Sequence, residues 1–253
     1  AVTFSAGLAA AGMVPFCNIY STFMQRAYDN VIHDVAIQGL PVVMCLDRGG
    51  LVGEDGVTHH GVFDMAAFGA VPGLTVAAPM NEPELRNMMW TGLQAGAPFM
   101  IRYPRGLGEG LPWRGLPFET LPVGRGRRLR EGRDVALVTV GTVGNAAARA
   151  AERAAAQGVE AAHYDLRWVK PFDTELLDEV GRTFRRVITV EDGCLRGGVG
   201  EAVAAYFNAR GYDAHVTCLG IGDAWVEHGT PEQLHALCGY DEESILRALT
   251  QPV

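Results

Sequence analysis

Two rhythms alternate along the chain. Short, almost uninterrupted apolar runs at residues 41–46, 74–78, 99–103, 135–140, 159–165, 187–190 and 215–219 predict buried strands of the parallel-sheet kind. A further apolar run at 13–19 contains Pro15 and predicts another strand. Between these runs the apolar positions recur at helical spacing. Residues 20–38 place Phe23, Ala27, Val31, Val35 and Ile37 mostly on one face. Residues 63–68 predict a short helix. Asn81 predicts an N-cap for 82–95, with Pro83 and Glu84 in the first turn. Helices follow at 146–157, ended by Gly158, at 174–182, capped by Asp173, and at 201–210, 231–238 and 242–250.

Residues 1–12 are continuously apolar and predict a helix buried all round, with no capping signal before it. With no initiator Met, this start reads as a chain that has been cut or trimmed. Residues 106–117 carry four glycines and two prolines without periodicity, which predicts a boundary. The expected organisation is therefore two α/β domains, 1–117 and 118–253, with 118–130 as a connecting arm. Alternating strands and helices in both units point to mainly parallel sheets.

One stretch breaks both rhythms. Asp47 to Gly61 puts five glycines, three acids, Arg48, His59 and His60 into fifteen residues, directly after a predicted strand. Ligands gather at the carboxyl ends of parallel strands, so this loop is the first candidate site. Arg48 suits a phosphate or carboxylate, or forms a solvated ion pair. Asp55 between flexible residues suits a site or a turn. His59 and His60 are adjacent and point different ways, so one can enter a cleft as a donor; their spacing does not suit a metal pair. Tyr20, Phe23 and Arg26 lie three apart on one helical face, an aromatic and cationic surface that fits a planar cationic or phosphorylated ligand. Arg105 falls at the same sheet edge as the loop, whereas Arg102 lies inside a strand and reads as structural. Gly197 to Gly200 precedes a helix and can cradle a phosphate or form a structural turn; its spacing misses the dinucleotide fingerprint. Glu191 and Asp192 read as a helix-flanking acidic pair. Asp223 to Gly229 reads as a polar loop that meets another subunit.

Composition narrows the classes. The chain has 253 residues, 48% hydrophobic and 20% charged, enough apolar material for real cores. A net charge of −8 gives no electrostatic support to nucleic acid or an anionic membrane as partner. The five cysteines are odd in number and scattered without a C-x-x-C, which predicts neither a disulfide framework nor a zinc site and suggests a reduced, cytoplasmic setting. No apolar run reaches the length of a membrane span.

The run from Tyr20 to Asp29, the run Asp47 to Gly56 with Thr58-His59-His60-Gly61, and Arg102-Tyr103-Pro104-Arg105-Gly106 together closely resemble the 1-deoxy-D-xylulose-5-phosphate synthase family. Residues 119–253 resemble the C-terminal domain of the transketolase superfamily, through Arg167 to Asp173 and Val190 to Gly193. The resemblance implies a pyrimidine-binding domain followed by that C-terminal domain. It implies thiamine diphosphate and Mg2+, and condensation of pyruvate with D-glyceraldehyde 3-phosphate with loss of carbon dioxide, feeding isoprenoid, thiamine and pyridoxal synthesis. Phe23 would stack on the aminopyrimidine and Arg26 would support the pocket. Tyr20, Arg48 and Arg105 would hold the aldehyde's phosphate, and Asp55 and His59 would serve as polar or proton-transfer groups. The family's catalytic glutamate and its magnesium and diphosphate motif are not found in this sequence. The resemblance thus implies a C-terminal half that is inactive alone, partnered by an N-terminal diphosphate-binding half, in a homodimer. Two other readings stand beside it: the β subunit of a 2-oxo acid dehydrogenase, and a non-catalytic dimerisation fragment.

Overall fold

The computed structural model describes residues 1–251. Two five-stranded sheets form its framework, each flanked by helices. The first contains β1 (Phe16–Tyr20), β2 (Val43–Asp47), β3 (Thr75–Ala77) and β4 (Phe99–Arg102), in spatial order β1-β2-β4-β3 and all parallel. The second contains β5 (Arg127–Arg130), β6 (Val135–Val140), β7 (Ala161–Asp165), β9 (Arg186–Cys194) and β10 (His215–Ile221), in order β10-β9-β6-β7-β5. Only the edge strand β5 runs antiparallel there. The apolar runs are strands because both faces of each sheet are covered. Val43, Met44, Cys45 and Leu46 of β2, and all of β6, are buried.

One strand crosses between the units. β8 (Trp168–Lys170) belongs by sequence to the second unit but adds antiparallel to β3 at the edge of the first sheet. Trp168 is fully buried there, edge-on to Phe99, and its indole N–H donates to the Arg125 carbonyl at 3.1 Å. Beside it, Arg167 forms a bidentate pair with Glu84 at 2.8 and 3.0 Å. Glu84 lies in α5 (Glu82–Gln94), whose N-cap Asn81 accepts from the Glu84 amide. Arg127 completes the cluster by reaching both Glu84 (3.1 Å) and Asp165 (3.0 Å). A buried aromatic and a shared ionic network therefore tie the two sheets together.

Two local expectations change. Helix α1 (Val2–Ala10) buries Val2, Ser5, Ala6 and Ala9, but Phe4 on its other face is 70% exposed, so continuous apolarity does not mean burial all round. The helical run after β1 is not one α-helix. It passes through α2 (Ser21–Met24), a 3-10 turn (Gln25–Ala27), α3 (Tyr28–Asn30) and a π segment (Val31–Ala36). Its buried line is Met24, Val31 and Val35, while Phe23 and Ile37 face outward. The changing pitch rotates Phe23 away from the core and onto the candidate site. The remaining helices follow expectation: α4 (Asp64–Gly69), α6 (Val143–Ala155), α7 (Thr174–Thr183), α8 (Val199–Arg210), α9 (Pro231–Cys238) and α10 (Glu242–Thr250). Asp173 caps α7 by accepting from the amides of Glu175 and Leu176. Among the described residues no helix is long and apolar enough to cross a membrane, and all five cysteines are free.

His163 in β7 is buried with its Nε2 2.9 Å from the Thr139 hydroxyl. Burial, aided by the Arg127 charge, pushes its pKa down to about 4. The unfolded chain takes up this proton near pH 6.5 and the folded chain does not. The group's contribution to stability is therefore present above pH 6.5 and lost as pH falls toward 4. Asp165, raised to about 6 by burial, acts in the opposite sense over the same range. The variant His163→Gln removes only the first effect. Its urea-unfolding free energy should fall by about 2–3 kcal/mol less than that of the parent between pH 7 and 4.5. Equal pH dependence of the two proteins would contradict a neutral buried His163.

Candidate active site

The carboxyl ends of β1, β2 and β4 bring the sequence-predicted residues onto one surface. Tyr20 is the last residue of β1 and precedes α2, so its ring stands at the sheet edge. Phe23, one turn on, stacks against it with centroids 5.5 Å apart and planes 17° from parallel. The Phe23 ring remains 39% exposed. His59 meets Phe23 edge-on at 5.4 Å, and the Arg26 guanidinium lies 6.0 Å from its centroid. An exposed phenyl ring flanked by a cation and an imidazole offers a stacking surface for a planar heteroaromatic group.

The second half of the surface is ionic. Arg48 follows β2 in a left-handed conformation, φ 57°, which a residue with a Cβ adopts at a cost of about 1 kcal/mol or more. That backbone turn lays its guanidinium over the Tyr20 ring at 4.1 Å. Nη1 of Arg48 donates to Asp55 Oδ2 at 2.7 Å, and Nη1 of Arg105 donates to the same oxygen at 3.1 Å. Two guanidinium groups from different strands thus converge on one oxyanion, and two cations against one carboxylate leave a net positive charge. Asp55 is accordingly a paired carboxylate, not a lone turn residue. Among the described residues no group of three or more His, Cys, Asp or Glu is placed to hold a metal ion.

The adjacent histidines diverge. His59 faces the surface, its Nδ1 2.9 Å from the Thr58 hydroxyl. His60 is buried, accepts the Val52 amide at Nδ1 (3.1 Å), and turns Nε2 toward the Glu227 carbonyl at 3.4 Å. That pattern places the proton on Nε2 and gives His60 a structural task within the loop. The glycine-rich loop is correspondingly compact. The amides and carbonyls of Gly50 and Gly61 exchange bonds at 2.7 and 2.8 Å, and Gly49 donates to the Tyr103 carbonyl at 2.9 Å.

Beneath the surface lies a buried polar layer that the sequence reading did not single out as a unit. Arg102, 2% exposed at the end of β4, donates through Nε to Asp64 (3.1 Å) and through Nη2 to the Asp192 carbonyl (2.9 Å). Burial alone would lower its pKa, but Asp64 and Asp192 together raise it. Asp64 also accepts from the Ser21 hydroxyl at 2.9 Å, directly beside Tyr20. Gly49 packs so closely on Arg102 that a Cβ would lie 2.8 Å from Nε. Arg102 is therefore structural, as its place inside a strand suggests. Glu191 and Asp192, read as a helix-flanking acidic pair, are both buried within β9. The Glu191 carboxylate accepts the amides of Val199 and Gly200 at the start of α8, and burial raises its pKa to about 7. The Gly197 to Gly200 turn thus has its helix donors already occupied and is a structural feature. Tyr103 and Arg105 also border an interdomain cleft of about 560 Å3, shared with Asn145, Arg149 and His235.

The family profile described as the transketolase pyrimidine binding domain matches residues 1–109, and that described as the transketolase C-terminal domain matches 124–245. A Bacteroides fragilis protein named 1-deoxy-D-xylulose-5-phosphate synthase is 55% identical over 253 residues, covering 99% of this chain and 39% of the relative. A synthase of the same name from Gloeobacter violaceus is 46% identical over 259 residues, covering all of this chain and 41% of the relative. The chain therefore spans about two fifths of the length of these curated relatives. Among solved structures, one titled split gene transketolase, inactive beta4 tetramer, superposes with a TM-score of 0.86 at 28% identity, over 97% of this chain and 78% of that one.

The geometry separates two kinds of arginine. Removing Arg102 leaves Asp64 and the Asp192 carbonyl buried without their cation, and Arg102→Met should cost about 3–5 kcal/mol. Removing Arg48 deletes a partly solvated pair, and Arg48→Ala should change stability by about 1 kcal/mol or less. Parallel urea-unfolding curves test this, and a comparable loss in both variants would refute the distinction.

Proposed function

The chain belongs to the transketolase family, carrying its pyrimidine-binding and C-terminal domains, and on that premise we propose that it supplies this half of a 1-deoxy-D-xylulose-5-phosphate synthase. The reaction is the condensation of pyruvate with D-glyceraldehyde 3-phosphate to 1-deoxy-D-xylulose 5-phosphate and carbon dioxide. The observation that carries this reading is the convergence of Arg48 and Arg105 on one oxyanion position, next to the exposed Phe23 ring. The names of relatives at 46–55% identity support a synthase over the β subunit of a 2-oxo acid dehydrogenase.

Thiamine diphosphate fits the residues present at its pyrimidine end. Phe23 offers the stacking face and Arg26 borders it. The chemistry the cofactor supplies when bound is reversal of polarity at a 2-oxo acid carbonyl, which lets carbon dioxide leave. In this proposal its diphosphate and Mg2+ are held by a partner half. Tyr20, Arg48 and Arg105 orient the aldehyde by its phosphate. Asp55 occupies the position of that phosphate and must yield or share the two guanidinium groups when substrate arrives. His59, at the ring edge and exposed, is placed to exchange a proton or hydrogen bond with substrate oxygens. Domain boundaries near residue 117, a cytoplasmic location and a homodimeric assembly complete the proposal. The split transketolase whose β chains form an inactive tetramer supports the view that this half alone does not catalyse.

Two measurements test the proposal. In the full-length protein, Arg48→Ala or Arg105→Ala should raise KM for D-glyceraldehyde 3-phosphate by about 10- to 100-fold, as expected for losing one charge-assisted hydrogen bond, and leave KM for pyruvate unchanged. An equal rise for pyruvate would contradict the assignment. The present polypeptide, given thiamine diphosphate and Mg2+ without an N-terminal half, should not decarboxylate pyruvate. Turnover under those conditions would sink the half-site reading.

A further inference from the structure

The function proposed above leaves the second domain without a task beyond assembly. The buried contacts give it one. Asp192, at the middle of the domain junction, holds the glycine-rich loop by its side chain and Arg102 by its backbone. Its Oδ1 accepts the Leu51 amide at 3.3 Å and the Tyr240 hydroxyl at 2.6 Å, and its carbonyl accepts Arg102 Nη2 at 2.9 Å. Its carboxylate rests so directly on Gly50, φ 80°, that a Cβ at that position would overlap it. Tyr240 is 1% exposed and fixed between α9 and α10: its amide donates to the His235 carbonyl at 3.1 Å, and its ring packs on His235 at 4.8 Å. Gly50 is in turn bonded to Gly61, and Arg48 stands two residues before it with a left-handed backbone.

We propose that Tyr240 and Asp192 are positioning residues for phosphate recognition: from the second domain, they clamp Gly50 and Leu51 so that Arg48 meets Arg105 at one oxyanion position. Neither touches substrate. Arg48 in its left-handed conformation is not self-sustaining, because an arginine in that region is less stable than in the extended or helical ones. Contacts on both sides of the loop hold it, Gly61 and Tyr103 from the first domain and Asp192 from the second. Tyr240 is the informative member, because deleting its hydroxyl changes neither charge nor packing volume appreciably. Without that donor the Asp192 carboxylate loses its shortest hydrogen bond and its hold on Leu51 loosens.

The inference rests on the phosphate role of Arg48 and Arg105, and the experiment separates the two. In the full-length protein, Tyr240→Phe should speed hydrogen–deuterium exchange of the segment 49–53 by about 10-fold, from loss of a charge-assisted bond. It should also raise KM for D-glyceraldehyde 3-phosphate and Kd for glycerol 3-phosphate by about 5- to 20-fold. KM for pyruvate and for unphosphorylated glyceraldehyde should stay within twofold of the parent. Tyr206→Phe, which deletes a 2.7 Å bond to Asp178 elsewhere in the same domain, should change none of these. Unchanged exchange at 49–53 in Tyr240→Phe overturns the clamp whatever the substrate. Faster exchange with equal effects on phosphorylated and unphosphorylated acceptors overturns its role in phosphate recognition. A parent protein that ignores D-glyceraldehyde 3-phosphate overturns the proposed function instead, and the exchange result then decides the clamp alone. Should Tyr240→Phe lose its thermal transition, Asp192→Asn carries the same test, since it weakens the same bonds by removing charge; no effect there overturns the proposal.

Discussion

A guanidinium buried between two domains sets the terms for everything around it. Arg102 cannot be left without acceptors, because an unpaired cation in that position costs several kcal/mol. The first domain answers with Asp64 and the second with the Asp192 carbonyl. One cation against the carboxylates of Asp64 and Asp192 leaves a negative excess, which the hydroxyls of Ser21 and Tyr240 and the amides of Leu51 and Met65 satisfy. Two of these donors belong to segments that carry or adjoin a site residue. Ser21 adjoins Tyr20, and Leu51 continues the loop of Arg48. Burying this charge therefore fixes the site from below.

The same constraint explains the glycines. A loop dense in glycine invites a reading of flexibility, yet Gly49, Gly50 and Gly61 are buried and have no room for a Cβ against Arg102, Asp192 and Ser21 respectively. They are glycine because the backbone is pressed against side chains on both sides, and only at Gly50 does a positive φ add to that demand. The composition of the loop therefore has a packing reason of its own, whatever it binds.

Strands buried on both faces were legible from residue type, because β2, β6 and residues 187–190 of β9 are apolar almost throughout and buried. That Arg48 and Arg105 share one sheet edge was legible from strand ends and loop position, whereas Tyr20 and Phe23 were joined to them only by the family resemblance. What escaped is what depends on a distant partner. β8 is three residues long and pairs with β3 across the domain junction, so no local pattern marks it. Glu191 and Asp192 read as a helix-flanking pair until the α8 amides, Leu51 and Tyr240 are seen to bond them. The 3-10 and π turns that break the helix after Phe23 have no signature in spacing either.

The two arginine environments differ in how easily their partners can be exchanged. Arg48 and Arg105 pair with Asp55 at the surface, where water stands ready to replace any lost hydrogen bond and a pair is worth at most about 1 kcal/mol. A phosphate bearing more charge and more acceptor oxygens can compete for those donors at little expense. Arg102 has no such option, since exchange would require opening the domain junction. A site that must bind and release an anion each turnover needs the first kind of arginine at its surface. It also needs the second kind beneath, because weakly held cations recognise a phosphate only if the backbone carrying them does not move. In the proposed site that immobility comes from the second domain, whose Asp192 bonds both Leu51 and Arg102.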